Sequence, residues 1–170
     1  MADVFIDCEW VEDDYLTILG AYSYGQDRFQ LYDETLTKRR FSRFLNICSE
    51  RSKGATFLFC HGPDIGKIEK HFDLDLKQNY YCINTITAFK RFTRFQNVSL
   101  RHLEQYFNLP RKYALSNADI NRLWKSGDWN KRRIVLDYNW EDCINLWRLI
   151  KILMGEYGVT RGDLKNIAMR

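Results

Sequence analysis

The chain has 170 residues, with 26 Lys plus Arg against 22 Asp plus Glu, a formal net charge of +4 and 45% hydrophobic residues. This composition excludes a disordered chain, and no stretch reaches the ~18 apolar residues of a membrane span. At this length one core would bury roughly 70% of the unfolded surface, so residues 1–170 read as a single domain.

The five cysteines are scattered with no CxxC, which argues against a zinc knuckle or a dithiol motif. The first residues lack the basic and apolar regions of a secretory signal, so a reduced, cytoplasmic protein is expected.

In chain order, residues 3–10 centre on Val4-Phe5-Ile6 and predict a buried strand. A second strand is predicted over 15–24, and Gly25-Gln26-Asp27 turns the chain into a third over 28–33. Phe41, Phe44, Leu45 and Cys48 recur at i, i+3, i+4, i+7 and predict a helix over 37–51, ended by Lys53-Gly54. The apolar run 55–60 suits a central strand. Pro63 opens a helix that buries Ile65, Ile68 and Phe72. A short strand over 80–84 follows, then helices over 85–92, 99–107, 116–125 and 130–156. A three-strand meander followed by alternating helix and strand predicts an α/β fold on a mixed sheet.

Three acidic motifs lie on these elements. Asp7-Cys8-Glu9 ends the first strand, and because strand side chains alternate, Asp7 and Glu9 share one face. Two adjacent carboxylates repel unless a cation separates them, and hard oxygen ligands suit Mg²⁺ or Mn²⁺. Alone the pattern is weak, since a DxE occurs by chance about 0.6 times in such a chain. Asp64 follows the fourth strand at a strand-to-helix junction, where open α/β sheets gather ligands. On the last helix, Tyr138 and Asp142 stand i, i+4 on one face.

A strand with DxE, an acidic residue after a later strand, and YxxxD on a terminal helix together resemble the DEDD 3′–5′ exonucleases of the ribonuclease H-like superfamily. The tyrosine is that of the DEDDy branch. The resemblance runs from about Val4 to Ile150. It implies a ribonuclease H-like five-stranded mixed sheet, three strands antiparallel and the rest parallel, flanked by helices. It also implies metal ligands Asp7, Glu9, Asp64 and Asp142 around two Mg²⁺ or Mn²⁺ ions, with Tyr138 orienting the attacking water. The chain departs from the family pattern in two places. Trp10 stands where Thr commonly follows the Glu, and His61-Gly62-Pro63 replaces the Asn and aromatic residue that usually precede the second-motif Asp. Asp73 is a rival for that position, but it falls late in a predicted helix, away from the strand end.

The implied activity is 3′–5′ hydrolysis of single-stranded DNA. Single-stranded RNA is the alternative, as is a catalytically silent nucleic-acid-binding module on the same fold. Candidate strand contacts are Trp10, His61, Arg91, Arg94 and Arg132. Arg91 and Arg94 lie in Phe89-Lys-Arg-Phe-Thr-Arg-Phe95, where cations and rings interleave as phosphate contact and base stacking require. A core stripe with a solvated basic face opposite is the competing reading of that segment. A homo-oligomer that builds a channel or clamp around the strand is also expected of so small a core.

Overall fold

The computed structural model describes residues 3–11, 15–52 and 56–169. Five strands, β1 (Val4–Val11), β2 (Tyr15–Ser23), β3 (Phe29–Tyr32), β4 (Phe57–Cys60) and β5 (Tyr81–Asn84), form one sheet in the order β3-β2-β1-β4-β5. The pairs β1–β2 and β2–β3 are antiparallel, whereas β1–β4 and β4–β5 are parallel. This is the mixed sheet that the element order predicted, with the three antiparallel strands and the parallel remainder that the ribonuclease H-like resemblance implied. The expected helix end at Lys53-Gly54 and the first residue of the 55–60 strand lie outside the described residues.

Helices cover both faces because β1 alternates between two apolar sets. Val4, Ile6 and Cys8 pack with α1 (Lys38–Glu50), α2 (Asp64–Phe72) and α3 (Leu76–Asn79) in one core. Phe5 points the other way, into a second core with α4 (Thr85–Phe92), α5 (Leu100–Tyr106) and the C-terminal half of α7 (Trp129–Glu156). A third cluster joins Val11 and Ile18 to α6 (Asn117–Lys125) and the N-terminal half of α7. With 28 residues, α7 is about 42 Å long and runs across the sheet from one cluster to the other.

Two short α-helices among the described residues escaped the sequence reading. α3 is a single turn whose N-cap, Asp75, accepts from the Gln78 amide. α8 (Arg161–Asn166) carries a Thr160–Asp163 capping box, a signal that was legible in the sequence but lies in a region with little apolar periodicity.

Candidate functional site

The sheet register brings the first acidic pair under α7. Asp7 pairs with Gly20 of β2, and Gly20 with Gln30 of β3, so these three form a row across the sheet. Asn139 of α7 lies over that row. Its Nδ2 donates to the Asp7 main-chain carbonyl (3.0 Å) and to Asp7 Oδ2 (2.8 Å), while its Oδ1 accepts from Gln30 Nε2 (2.7 Å). The helix can come this close only because residue 20 has no side chain: a Cβ there would sit 2.2 Å from Asn139 Oδ1. Arg28 extends the network, with Nε donating to Gln30 Oε1 and Nη1 bonded to Asp137.

One turn along α7 from Tyr138, Asp142 enters the same space. One carboxylate oxygen each from Asp7, Glu9 and Asp142 lies within 4.8 Å of the others. Glu9 and Asp142 are buried and Asp7 is half-buried. A set of three converging hard oxygens fits a divalent cation such as Mg²⁺ or Mn²⁺, and nothing but oxygen is offered.

Asp64 stands beside this triad without joining it. The parallel pairing of β1 and β4 carries the chain end of β4 alongside β1, and Asp64 then opens α2, buried at 6% exposure. The loop between is pinned from β5, since Thr85 Oγ1 donates to the Cys60 carbonyl (3.0 Å) and Asn84 Nδ2 to the Gly62 carbonyl (3.0 Å). The rival Asp73 is exposed at the far end of α2, with a left-handed backbone.

Burial is the main electrostatic fact of the site. Asp7 is raised well above the usual carboxylate range by burial first, then by the charges of Asp142, Glu9 and Asp64, with the Asn139 bond working against them. Glu9 is raised by burial and by Asp142 and Asp64. Asp64 and Asp142 are each pushed up to about 7 by burial, offset at Asp64 by hydrogen bonding from Trp10 and the charge of Lys67, and at Asp142 by Arg111 and Tyr138. Burial and the same carboxylates push the Tyr138 phenol up, so it remains a protonated donor at neutral pH.

The sign of the resulting pH dependence follows. In the unfolded chain Asp64 and Asp142 would titrate near 4, so in the metal-free folded protein they hold protons up to about pH 7. Their contribution to stability therefore falls as pH rises from about 4 through 7. A divalent ion requires those protons to leave. The rise in melting temperature on adding Mn²⁺ should accordingly be small near pH 5.5 and large near pH 8. Scanning fluorimetry at the two pH values checks this, and a shift that did not grow with pH would contradict it.

The candidate strand contacts fare differently. Trp10 follows a β-bulge after Glu9, packs partly into the first core and carries the Lys67 ammonium 4.5 Å over its ring, so one face is already covered. His61 Nδ1 is hydrogen bonded to Thr85 Oγ1 (2.6 Å), and burial lowers its pKa to about 4, so it brings no charge to a phosphate. Arg132 donates from Nε to the Trp124 carbonyl and from Nη1 to Asp33, with its guanidinium over the Trp124 ring. These bonds tie α7 to α6, so packing takes up the group expected to meet the strand. Arg91 and Arg94 are exposed and line an open groove of about 470 Å³ with Phe92, Phe95, Tyr106 and Tyr157. Phe89, in contrast, is fully buried. Tyr157 stands 15 residues beyond Asp142, just past the C-terminal end of α7, which puts the groove about 22 Å along that axis from the carboxylates.

Sequence reasoning missed four residues of the site: Gln30, Asn139, Glu104 and Arg111. For Asn139 a signal existed, because Asn139, Asp142 and Asn145 recur every three residues on the buried side of α7. For Glu104 and Arg111 there was none, since they meet Asp142 only through tertiary structure.

A model of the RNase_H superfamily matches residues 4–154. Among solved structures, the fold is similar to that of the family B DNA polymerase from the hyperthermophilic archaeon Pyrobaculum calidifontis, with a TM-score of 0.68 and 11% identity, over 91% of this chain and 24% of the polymerase. It is also similar to a structure described as the apo form of a nuclease, with a TM-score of 0.58 and 15% identity, over 98% of this chain and 76% of the nuclease. The chain thus spans about a quarter of the polymerase it matches, and at these identities the likeness is one of fold. Comparison with curated proteins found no match.

Proposed function

Because the chain belongs to the RNase_H superfamily, we propose that it is a metal-dependent 3′–5′ exonuclease acting on single-stranded DNA, with residues 1–170 working as one domain. The observation that carries this reading is the convergence of Asp7, Glu9 and Asp142, with buried Asp64 beside them and Tyr138 one helical turn from Asp142. Asp7, Glu9 and Asp142 would hold the ions, Asp64 completing the set for a second one. When bound, Mg²⁺ or Mn²⁺ supplies a water of lowered pKa and neutralises charge developing on the phosphate.

The protein's own groups do the rest. Asn139 fixes the Asp7 carboxylate, and Tyr138, kept protonated, orients a water by donation instead of acting as a base. The preference for DNA draws on the likeness to a DNA polymerase, and the exonuclease direction on the tyrosine at YxxxD.

The decisive experiment uses 5′-labelled single-stranded DNA and RNA of matched sequence, with Mn²⁺ or EDTA. A ladder shortening from the 3′ end only with metal is expected, faster on DNA. A faster RNA ladder would transfer the assignment to a ribonuclease, and a shifted but intact strand would make the chain a binding module.

The groove of Arg91, Arg94, Tyr106 and Tyr157 supports a second contact on the strand, away from the cut. Strands shorter than about 4 nucleotides should then be poor substrates. Replacing both arginines by Ala should reduce the salt dependence of binding by about 1.4 in log–log slope while leaving cleavage of the shortest strands unchanged. Fluorescence anisotropy across a salt series reads the slope, and an unchanged slope would remove the groove from the binding path.

A further inference from the structure

The carboxylate cluster holds a cation of the protein's own. Arg111 lies in the segment between α5 and α6, and its guanidinium reaches Asp142 through Nη2. The same group is gripped from behind by Glu104, with Nε donating to Oε2 (2.7 Å) and Nη2 to Oε1 (2.5 Å). Glu104 is itself 2% exposed and is held by Asn145 Nδ2 on Oε1 (2.7 Å). Nη1 donates to the Tyr113 carbonyl, and the guanidinium lies 4.8 Å from the centre of the Tyr138 ring. Each guanidinium nitrogen of Arg111 is thus bonded to a group that orients it, and its one bond into the cluster goes to a carboxylate that also offers an oxygen to the metal position.

An ion pair buried this deeply is stable only as a set. Removing one partner leaves an uncompensated charge in a poorly solvated place. Asp7, Glu9 and Asp142 have no other arginine among the described hydrogen bonds, and the Lys67 charge lies on the Asp64 side. An arginine and a divalent cation that draw on the same carboxylate compete for its charge.

We propose that Arg111 is the resident counter-cation of the carboxylate cluster: anchored by Glu104, it holds Asp142 in the metal-free protein and yields that carboxylate to an incoming divalent ion, so the Glu104–Arg111 pair sets the metal affinity of the site. This deepens the reading of the cluster as a metal site and rests on it. Because Glu104 keeps two bonds to the guanidinium, Arg111 gives up only its contact with Asp142 and stays at the edge of the site, beside Tyr138. It is a positioning residue, acting on the metal through Asp142.

The test is Mn²⁺ titration of the full chain by calorimetry, together with the melting temperature in EDTA, for wild type, Arg111→Gln, Arg111→Lys and Asp7→Asn. With competition, Arg111→Gln binds Mn²⁺ about ten-fold or more tightly than wild type. It also melts lower in EDTA, where the carboxylates repel without their counter-cation, and gains more on adding metal. Arg111→Lys, which keeps a charge but not the fork, falls between the two, and it carries the test if Arg111→Gln does not fold. Wild-type binding that Asp7→Asn abolishes, with affinity equal or weaker in both Arg111 variants, overturns the role of Arg111 and leaves the metal site standing. Absence of Mn²⁺ binding in wild type and in both Arg111 variants overturns the metal site and this inference together.

Discussion

Asp7→Asn is expected to abolish metal-dependent shortening of a labelled strand, a loss of about 10³-fold or more, while raising the melting temperature of the protein in EDTA. The loss follows from the chemistry: ions at such sites supply several kcal/mol of transition-state stabilisation, and each 1.36 kcal/mol is ten-fold in rate. Asp7 is one of only three residues whose oxygens converge among those described, so no neighbour can replace it.

The gain in stability has a separate cause. In the metal-free protein the Asp7 carboxylate is held against burial and three like charges. Asn has the same shape, no charge, and an amide oxygen that can take the Asn139 hydrogen bond now made to Oδ2. A gain of about 1 kcal/mol or more is expected, each kcal/mol being worth about 2–4 °C at this size. One preparation gives both readouts, by gel and by scanning fluorimetry. Retained shortening would sink the role of Asp7, and a lower melting temperature would sink the claim that repulsion is stored at the site.

Gly20→Ala should be the most damaging substitution outside the acidic cluster. Glycine is required here by a close approach and not by an unusual backbone: an added Cβ would meet Asn139 Oδ1 at 2.2 Å, and Asn139 Cγ and Cys143 Sγ at 3.0 Å. Neither neighbour can swing aside, because Asn139 is fully buried and bonded on both sides, and Cys143 is fully buried. Overpacking of this kind costs about 1–3 kcal/mol. Breaking the Asn139 bond to the Asp7 carboxylate adds about 1–3 kcal/mol, as for other hydrogen bonds to charged groups. A fall in melting temperature of roughly 5–15 °C is expected. Activity well below that temperature should drop about 10–100-fold, the usual effect of freeing a metal ligand from its supporting group. Chemical denaturation and the strand-shortening gel measure the two effects. A variant as stable as wild type would mean that α7 does not bear on β2 as described.

Much of the architecture was legible because strand and helix periodicities differ and this chain keeps them distinct. Phe41, Phe44, Leu45 and Cys48 are the buried side of α1, and Ile65, Ile68 and Phe72 that of α2, as their spacing implies. The short elements were less legible, because α3 has a single buried apolar residue, and so does α8.

At the site, the sequence carried the acidic residues but not their surroundings. Asp7 and Glu9 are two apart on a strand, and Tyr138 and Asp142 four apart on a helix, so local geometry alone puts each pair on one face. The surface cations were the least legible. Arg132 looks like Arg91 and Arg94 in a one-dimensional reading, yet Trp124 and Asp33 take it up, 8 and 99 residues away in the chain. Burial likewise turned His61 into a neutral group.

By itself, then, the sequence determined the order of strands and helices, the two-residue and four-residue spacings of the acidic pairs, and the family those motifs resemble. These are properties of periods of 2 and 3.6 residues, which the local backbone sets. Tertiary structure alone decided that Asn139 reaches Asp7 across the bare backbone of Gly20, and that Glu104 delivers Arg111 to Asp142. Those contacts join residues 132 and 31 positions apart in the case of Asn139–Asp7 and Arg111–Asp142. No local preference encodes such pairs. They exist because burying α7 against the sheet leaves each polar group there no partner except the ones the packing supplies.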